Sequence, residues 1–149
     1  MIRASYGKLG LCLAMIFAMT LAGCEVKKTV YVTDIDRMQG TWKGTELGDR
    51  GGEWTLIITG DQVEADGPGP EDYAGTIILD ETTTPKSARL IIDKCAFEAY
   101  VGTTANNIYK LESGTLTLAG TEPGSDTKPT SFEGGNSTRV FEFTKVEVQ

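Results

Sequence analysis

From Gly40 to the end of the chain, apolar residues recur at every second position, and no long stretch repeats at helical spacing. Alternation of that kind lets a strand bury one face and wet the other, and Thr, Val, Ile and the aromatics suit a pleated sheet. The pattern predicts strands over 41–47, 53–60, 62–66, 73–80, 88–95, 107–112, 115–121 and 139–147. Turn chemistry fills the links. Gly48 to Gly52 is a flexible loop and Gly60-Asp61 a tight hairpin. Pro68, Pro70 and Pro85 break the next links, Ser113-Gly114 makes another, and a long loop spans 122–138. Consecutive hairpins suit an up-and-down meander, and eight strands are enough to close one into a barrel. The expected fold class is all-β, an eight-stranded antiparallel up-and-down barrel. A short helical turn capped by Thr33 or Asp34 precedes it and runs through Gln39.

The phase of the alternation selects an interior. Trp54, Leu56 and Ile58 share a side, as do Ile77 with Leu79, Leu90 with Ile92, and Tyr109 with Leu111. Leu116 with Leu118 and Phe141 with Phe143 complete the set, which contains no acid. An eight-stranded barrel is wide enough either to be filled by its side chains or to hold one small ligand. The stripe alone does not separate those outcomes.

The front of the chain carries a different pattern. Arg3 and Lys8 precede an apolar run from Leu9 to Ala22, too short for the ~20 residues of a membrane-spanning helix. A basic start, a short apolar centre and small residues before a cut describe a secretory signal. Leu21-Ala22-Gly23-Cys24 resembles the lipobox of bacterial lipoproteins at all four positions. The resemblance implies that residues 1–23 are a signal peptide, that the Cys24 thiol receives a diacylglyceryl group, and that the new amino terminus is acylated, palmitate being one such chain. Two or three acyl chains, at ~0.8 kcal/mol per buried methylene, anchor a protein stably to a membrane. Residues 24–33 then read as a tether reaching roughly 30–35 Å when extended. Residues 34–149 form the barrel domain. The expected location is the bacterial cell envelope, lipid-anchored, with Glu25 after the cysteine leaning toward the outer membrane.

Charge and composition narrow the chemistry. The formal net charge is -7; without Arg3 and Lys8 of the signal, 21 acids face 12 bases, near -9. No basic cluster interrupts this surface, so no nucleic-acid partner is expected. The chain has no histidine, hence neither the usual general base near neutral pH nor the commonest metal ligand. Glu64, Asp66, Glu71 and Asp72 flank a Pro/Gly loop of the sort that can offer oxygen ligands to calcium, but their spacing matches no EF-hand and a solvated acidic loop is the simpler account. Cys95, the one ordinary thiol left after processing, has no histidine to activate it and reads as an inert small hydrophobe. The expectation is a protein that is not an enzyme, with no cofactor and no metal.

Met38-Gln39-Gly40-Thr41-Trp42-Lys43 carries the most specific signal within the domain. Gly40-x-Trp42 at the first strand, after a short helix, resembles the lipocalin signature. Together with Lys128-Pro129-Thr130-Ser131-Phe132 and the closing strand Val140–Val146, it resembles a lipocalin-like domain family of small secreted bacterial proteins over about residues 34–147. The resemblance implies a lipocalin-like barrel and no agreed activity. Lipocalins set a basic residue of the last strand across the tryptophan. Here Lys145 shares a phase with Phe141 and Phe143, and it can reach Trp42 to form a plug of Gly40, Trp42 and Lys145. An ammonium over an indole face gains roughly 0.5–2 kcal/mol, without the planar stack an arginine would add. The alternative is a solvated lysine at a strand end.

Two functions remain. One is a membrane-anchored binding module holding a small apolar ligand near the 48–52 and 122–138 loops, lined by Trp54, Leu56, Tyr109 and Phe141. The other is a ligand-free envelope module with a structural or protein-interaction role.

Overall fold

Each strand pairs antiparallel with its predecessor, and the last returns to the first, closing an eight-stranded up-and-down barrel. The strands are β1 (Gly40–Leu47), β2 (Glu53–Thr59), β3 (Gln62–Asp66), β4 (Asp72–Asp80), β5 (Lys86–Cys95), β6 (Thr104–Glu112), β7 (Thr115–Thr121) and β8 (Thr138–Lys145). One short helix, α1 (Asp34–Met38), precedes them, and a 3₁₀ turn at Glu98–Tyr100 lies between β5 and β6. The structure, a computed structural model, describes residues 30–48, 51–135 and 137–147. The expected signal peptide, Cys24 and most of the expected tether lie outside the described residues. No helix among the described residues is long and apolar enough to cross a membrane.

Turn chemistry and close backbone approach make the closure possible. Between β6 and β7 the two-residue link Ser113-Gly114 takes positive φ at both positions, 48° and 82°, which is the twist a two-residue hairpin requires. At the β1–β8 seam, a Cβ on Gly44 would stand 2.0 Å from the Glu142 carbonyl oxygen, so only glycine lets these strands approach so closely. A second tight approach marks an irregularity. Gly75 pairs with Ile92 while Ala74 pairs with Lys94, so the register slips between them and Asp93 is skipped. The slip sets Cys95 opposite Tyr73.

The interior is the set that the period of two selects. Trp54, Leu56, Ile58, Leu116 and Phe143 are buried in the main cluster, with Ile77, Leu79, Leu90, Leu111, Leu118 and Phe141 packed partly buried against it. Val63, Ala88 and Trp42 join them. The expectation of an acid-free interior is corrected. Glu46 stands in phase with Trp42 on β1 and is buried, and the arginine of β8 meets it. A small second cluster lies on the outer face, where Ile108, Ala119 and Val140 are cross-strand neighbours and Phe132 of the long loop covers them.

Candidate functional site

The two ends of the barrel differ, and the difference locates the site. At one end, α1 is nucleated by a capping box: the Thr33 hydroxyl accepts from the Asp36 backbone N–H at 3.4 Å, and the Asp36 carboxylate accepts from the Thr33 N–H at 2.9 Å. Gln39 ties the helix to the β2–β3 hairpin by donating to the Gly60 carbonyl at 2.9 Å and accepting from the Gly60 N–H at 2.6 Å. Trp42 sits beneath, 1% exposed, its Nε1–H donating to the Met38 carbonyl at 2.7 Å. Lys145 is its cross-strand partner. The Lys145 ammonium lies 5.4 Å from the indole centroid and donates to the Arg37 carbonyl at 2.9 Å. The structure therefore brings Gly40, Trp42 and Lys145 together, with Lys145 Cε the nearest neighbour of a notional Gly40 Cβ at 3.7 Å.

An anionic post completes this end. The Asp34 carboxylate, 5% exposed, receives Lys86 Nζ at 2.5 Å, Arg37 Nη1 at 3.2 Å and the Tyr109 hydroxyl at 3.0 Å. Burial pushes the carboxyl up, but the hydrogen bonds from Lys86 and Tyr109 and the charges of Lys86 and Arg37 together hold it below its ordinary range. Burial, followed by the bond to Asp34, raises Tyr109 well above a normal phenol. Tyr109 is thus a correction: expected to line a ligand site, it is 1% exposed and spent on holding Asp34 at the closed end.

The other end opens into a cavity of about 500 Å³. Its wall includes Trp54, Leu56, Leu90, Leu118 and Phe141, and its floor reaches Met38. Of the four expected lining residues, Trp54, Leu56 and Phe141 are there and Tyr109 is not. Aromatic packing stiffens the wall: Trp54 meets Phe141 edge-on at 5.2 Å and stacks with Tyr73 at 6.4 Å.

Above this apolar wall stands Arg139. Its Nε donates to Glu46 Oε1 at 2.9 Å, and its Nη2 to Glu46 Oε2 at 2.6 Å and Glu71 Oε2 at 2.8 Å. Its guanidinium carbon lies 5.4 Å from the Trp54 ring and 5.2 Å from Phe141. The bonds to Glu46, then those to Glu71, raise its proton affinity further, so it is a permanent cation. Glu71, expected in a solvated acidic loop, is instead one arm of this cluster. Nearby, the Tyr100 hydroxyl donates to Glu122, a bond that pushes the phenol up to about 12. The Trp54 Nε1–H is buried without a hydrogen-bond partner among the described residues. Cys95 is half-buried, its thiol 3.0 Å from the Phe97 carbonyl, and does not line the cavity. Among the described residues no group of three or more Cys, Asp or Glu converges as a metal site.

Sequence reasoning missed Glu46 and Arg139. Both were readable as inward-facing, since Glu46 follows Trp42 by four residues and Arg139 precedes Phe141 by two.

Fold and cavity together define the class: a closed, lipocalin-like β-barrel with one plugged end and one open chamber. No protein-family model matches this chain, and neither does any curated protein or solved structure.

Proposed function

We propose that this chain is a non-catalytic binding module that holds a small apolar molecule in its barrel and is pinned to the bacterial envelope through lipid on Cys24. One observation carries the binding half: a closed barrel whose core is left open over about 500 Å³. That lies within the range of ~300–1,000 Å³ typical of small-molecule sites. Its wall is mostly aliphatic and aromatic, with a few polar side chains such as Asn107 and Arg139 among them, a composition that binds by burial and orients by polarity. The lipobox Leu21-Ala22-Gly23-Cys24 supports the anchor. The outer membrane is the favoured leaflet because glutamate, rather than aspartate, follows the cysteine.

Every strand and α1 lie between Asp34 and Lys145, so residues 24–149 with Cys24→Ser contain the entire closed sheet. Native mass spectrometry of that fragment tests the proposal. A retained apolar adduct, or uptake of a displaceable fluorescent lipid, supports it. A clean apo mass with no dye uptake favours the ligand-free module. Growth with radiolabelled palmitate and loss of label in Cys24→Ala test the anchor separately.

A further inference from the structure

We infer that the Arg139–Glu71 ion pair is a bar across the open mouth, and that the chamber fills and empties when Glu71 lets go while Arg139 stays clamped to Glu46. This rests on the cavity reading above and adds how its ligand enters and leaves.

Topology puts the two partners on facing walls. Round the closed sheet, β4 and β8 stand four strands apart in both directions, through β1–β3 one way and β5–β7 the other. Arg139 belongs to β8, and Glu71 immediately precedes β4. Each lies two residues toward the open end from a core-packed aromatic, Phe141 and Tyr73 respectively. The period of two turns both charged side chains inward, one layer above those rings. Their contact at 2.8 Å therefore crosses the bore rather than following a wall, and both residues line the chamber. Trp54 spans the same gap beneath, touching Phe141 of β8 and Tyr73 of β4.

The two carboxylates hold Arg139 unequally. The Glu46 side chain is 3% exposed and accepts two bonds, at 2.9 and 2.6 Å. Breaking that arm leaves a buried charge unpaired, which is strongly unfavourable. The Glu71 side chain is 32% exposed and accepts one bond. Water compensates it when it swings away, so this arm opens at little cost. Its backbone stays fixed: the Glu71 carbonyl accepts from the Gly67 N–H at 2.8 Å, and the Asp72 N–H donates to the Pro70 carbonyl at 3.0 Å. The side chain is then the moving part. A bar that is shut in the empty and the filled barrel alike, and open only during passage, sets the rates in both directions without shifting the equilibrium.

Stopped-flow fluorescence with N-phenyl-1-naphthylamine, an apolar probe uncharged at neutral pH, tests this on the 24–149 fragment carrying Cys24→Ser. Glu71→Gln keeps the side chain's size and removes its charge. Association and dissociation should both quicken about threefold to fivefold, the scale of one partly exposed ion pair, while Kd stays within about twofold. In the parent fragment, raising NaCl from ~20 mM to ~500 mM should quicken both rates likewise, because salt screens the pair. The same salt step should do less in Glu71→Gln. Since Glu71 lines the chamber, its substitution also alters a wall contact. A wall contact alone moves dissociation and Kd and leaves association where it was. That result, unchanged rates, or parent rates indifferent to salt overturns the bar and leaves the cavity reading standing. If the probe does not bind at all, the cavity reading fails and the bar falls with it.

Discussion

Asp34→Ala tests how the closed end is held. In the native barrel the Asp34 carboxylate accepts the Tyr109 hydroxyl at 3.0 Å, and Tyr109 is only 1% exposed. Truncation strands that hydroxyl away from water, a loss of about 1–3 kcal/mol. The Lys86 and Arg37 pairs add less, since both cations reach solvent. For a domain of this size each kcal/mol moves the midpoint by roughly 3–5 °C, so thermal unfolding should fall by about 6–10 °C for a loss near 2 kcal/mol. Tyr109→Phe alone should be milder, about 0.5–1.5 kcal/mol, because Asp34 keeps its other donors. The double variant decides the matter. With the hydroxyl gone nothing is stranded, so the pair should be at least ~1 kcal/mol less destabilised than the sum of its parts. Any helix-dipole contribution of Asp34 cancels in that cycle. Acid provides a second check. Asp34 is held below the ordinary 3.8, so as pH falls the unfolded chain takes up this proton first. Its contribution is complete above about that value and vanishes as pH drops through the lower native one. The stability gap between wild type and Asp34→Ala should therefore shrink below ~pH 4. Simple additivity of the two single variants, or a gap that does not narrow at all in acid, would refute the network.

Other substitutions separate the plug from the chamber. Trp42→Ala should unfold the barrel, a loss of about 3–5 kcal/mol in urea titration; Trp54→Ala should weaken it less, because one side of that ring already faces a cavity. Arg139→Ala leaves Glu46, 3% exposed in its side chain, as an unpaired buried charge; about 3–5 kcal/mol should be lost, with part regained on adding Glu46→Gln. Leu90→Trp should fill the chamber and abolish uptake of a fluorescent lipid while the far-ultraviolet circular dichroism stays that of the barrel.

Much of this architecture was legible because a period of two is hard to imitate. Strands β2, β3 and β7 begin and end within a residue of where alternation places them. Trp42 and Lys145 could be paired in advance because a closed meander must bring its last strand beside its first. What alternation does not encode is height along the barrel axis. Tyr109 faces inward as expected, but it lies at the closed end, where its hydroxyl finds Asp34. Nor does polarity report the face reliably near a rim. Glu46 and Arg139 are charged and inward because each neutralises the other across the β1–β8 seam. The register slip at Ala74/Gly75 had no sequence signal beyond the glycine itself. The cavity could not be foreseen at all. Side-chain identities give the wall's composition, while the space left between them depends on strand tilt and on which residues the ends recruit.

The seam between the first and last strands also governs when the molecule can exist. Trp42 and Lys145 are cross-strand partners although they stand near opposite termini of the domain. Drawing such distant segments together carries a loop entropy of about 4 kcal/mol, which earlier hairpins lessen but cannot remove. Until β8 has been made and has docked, β1 and β7 present bare amide edges to any passing strand. A chain truncated before Thr138 should accordingly aggregate rather than settle into a smaller barrel.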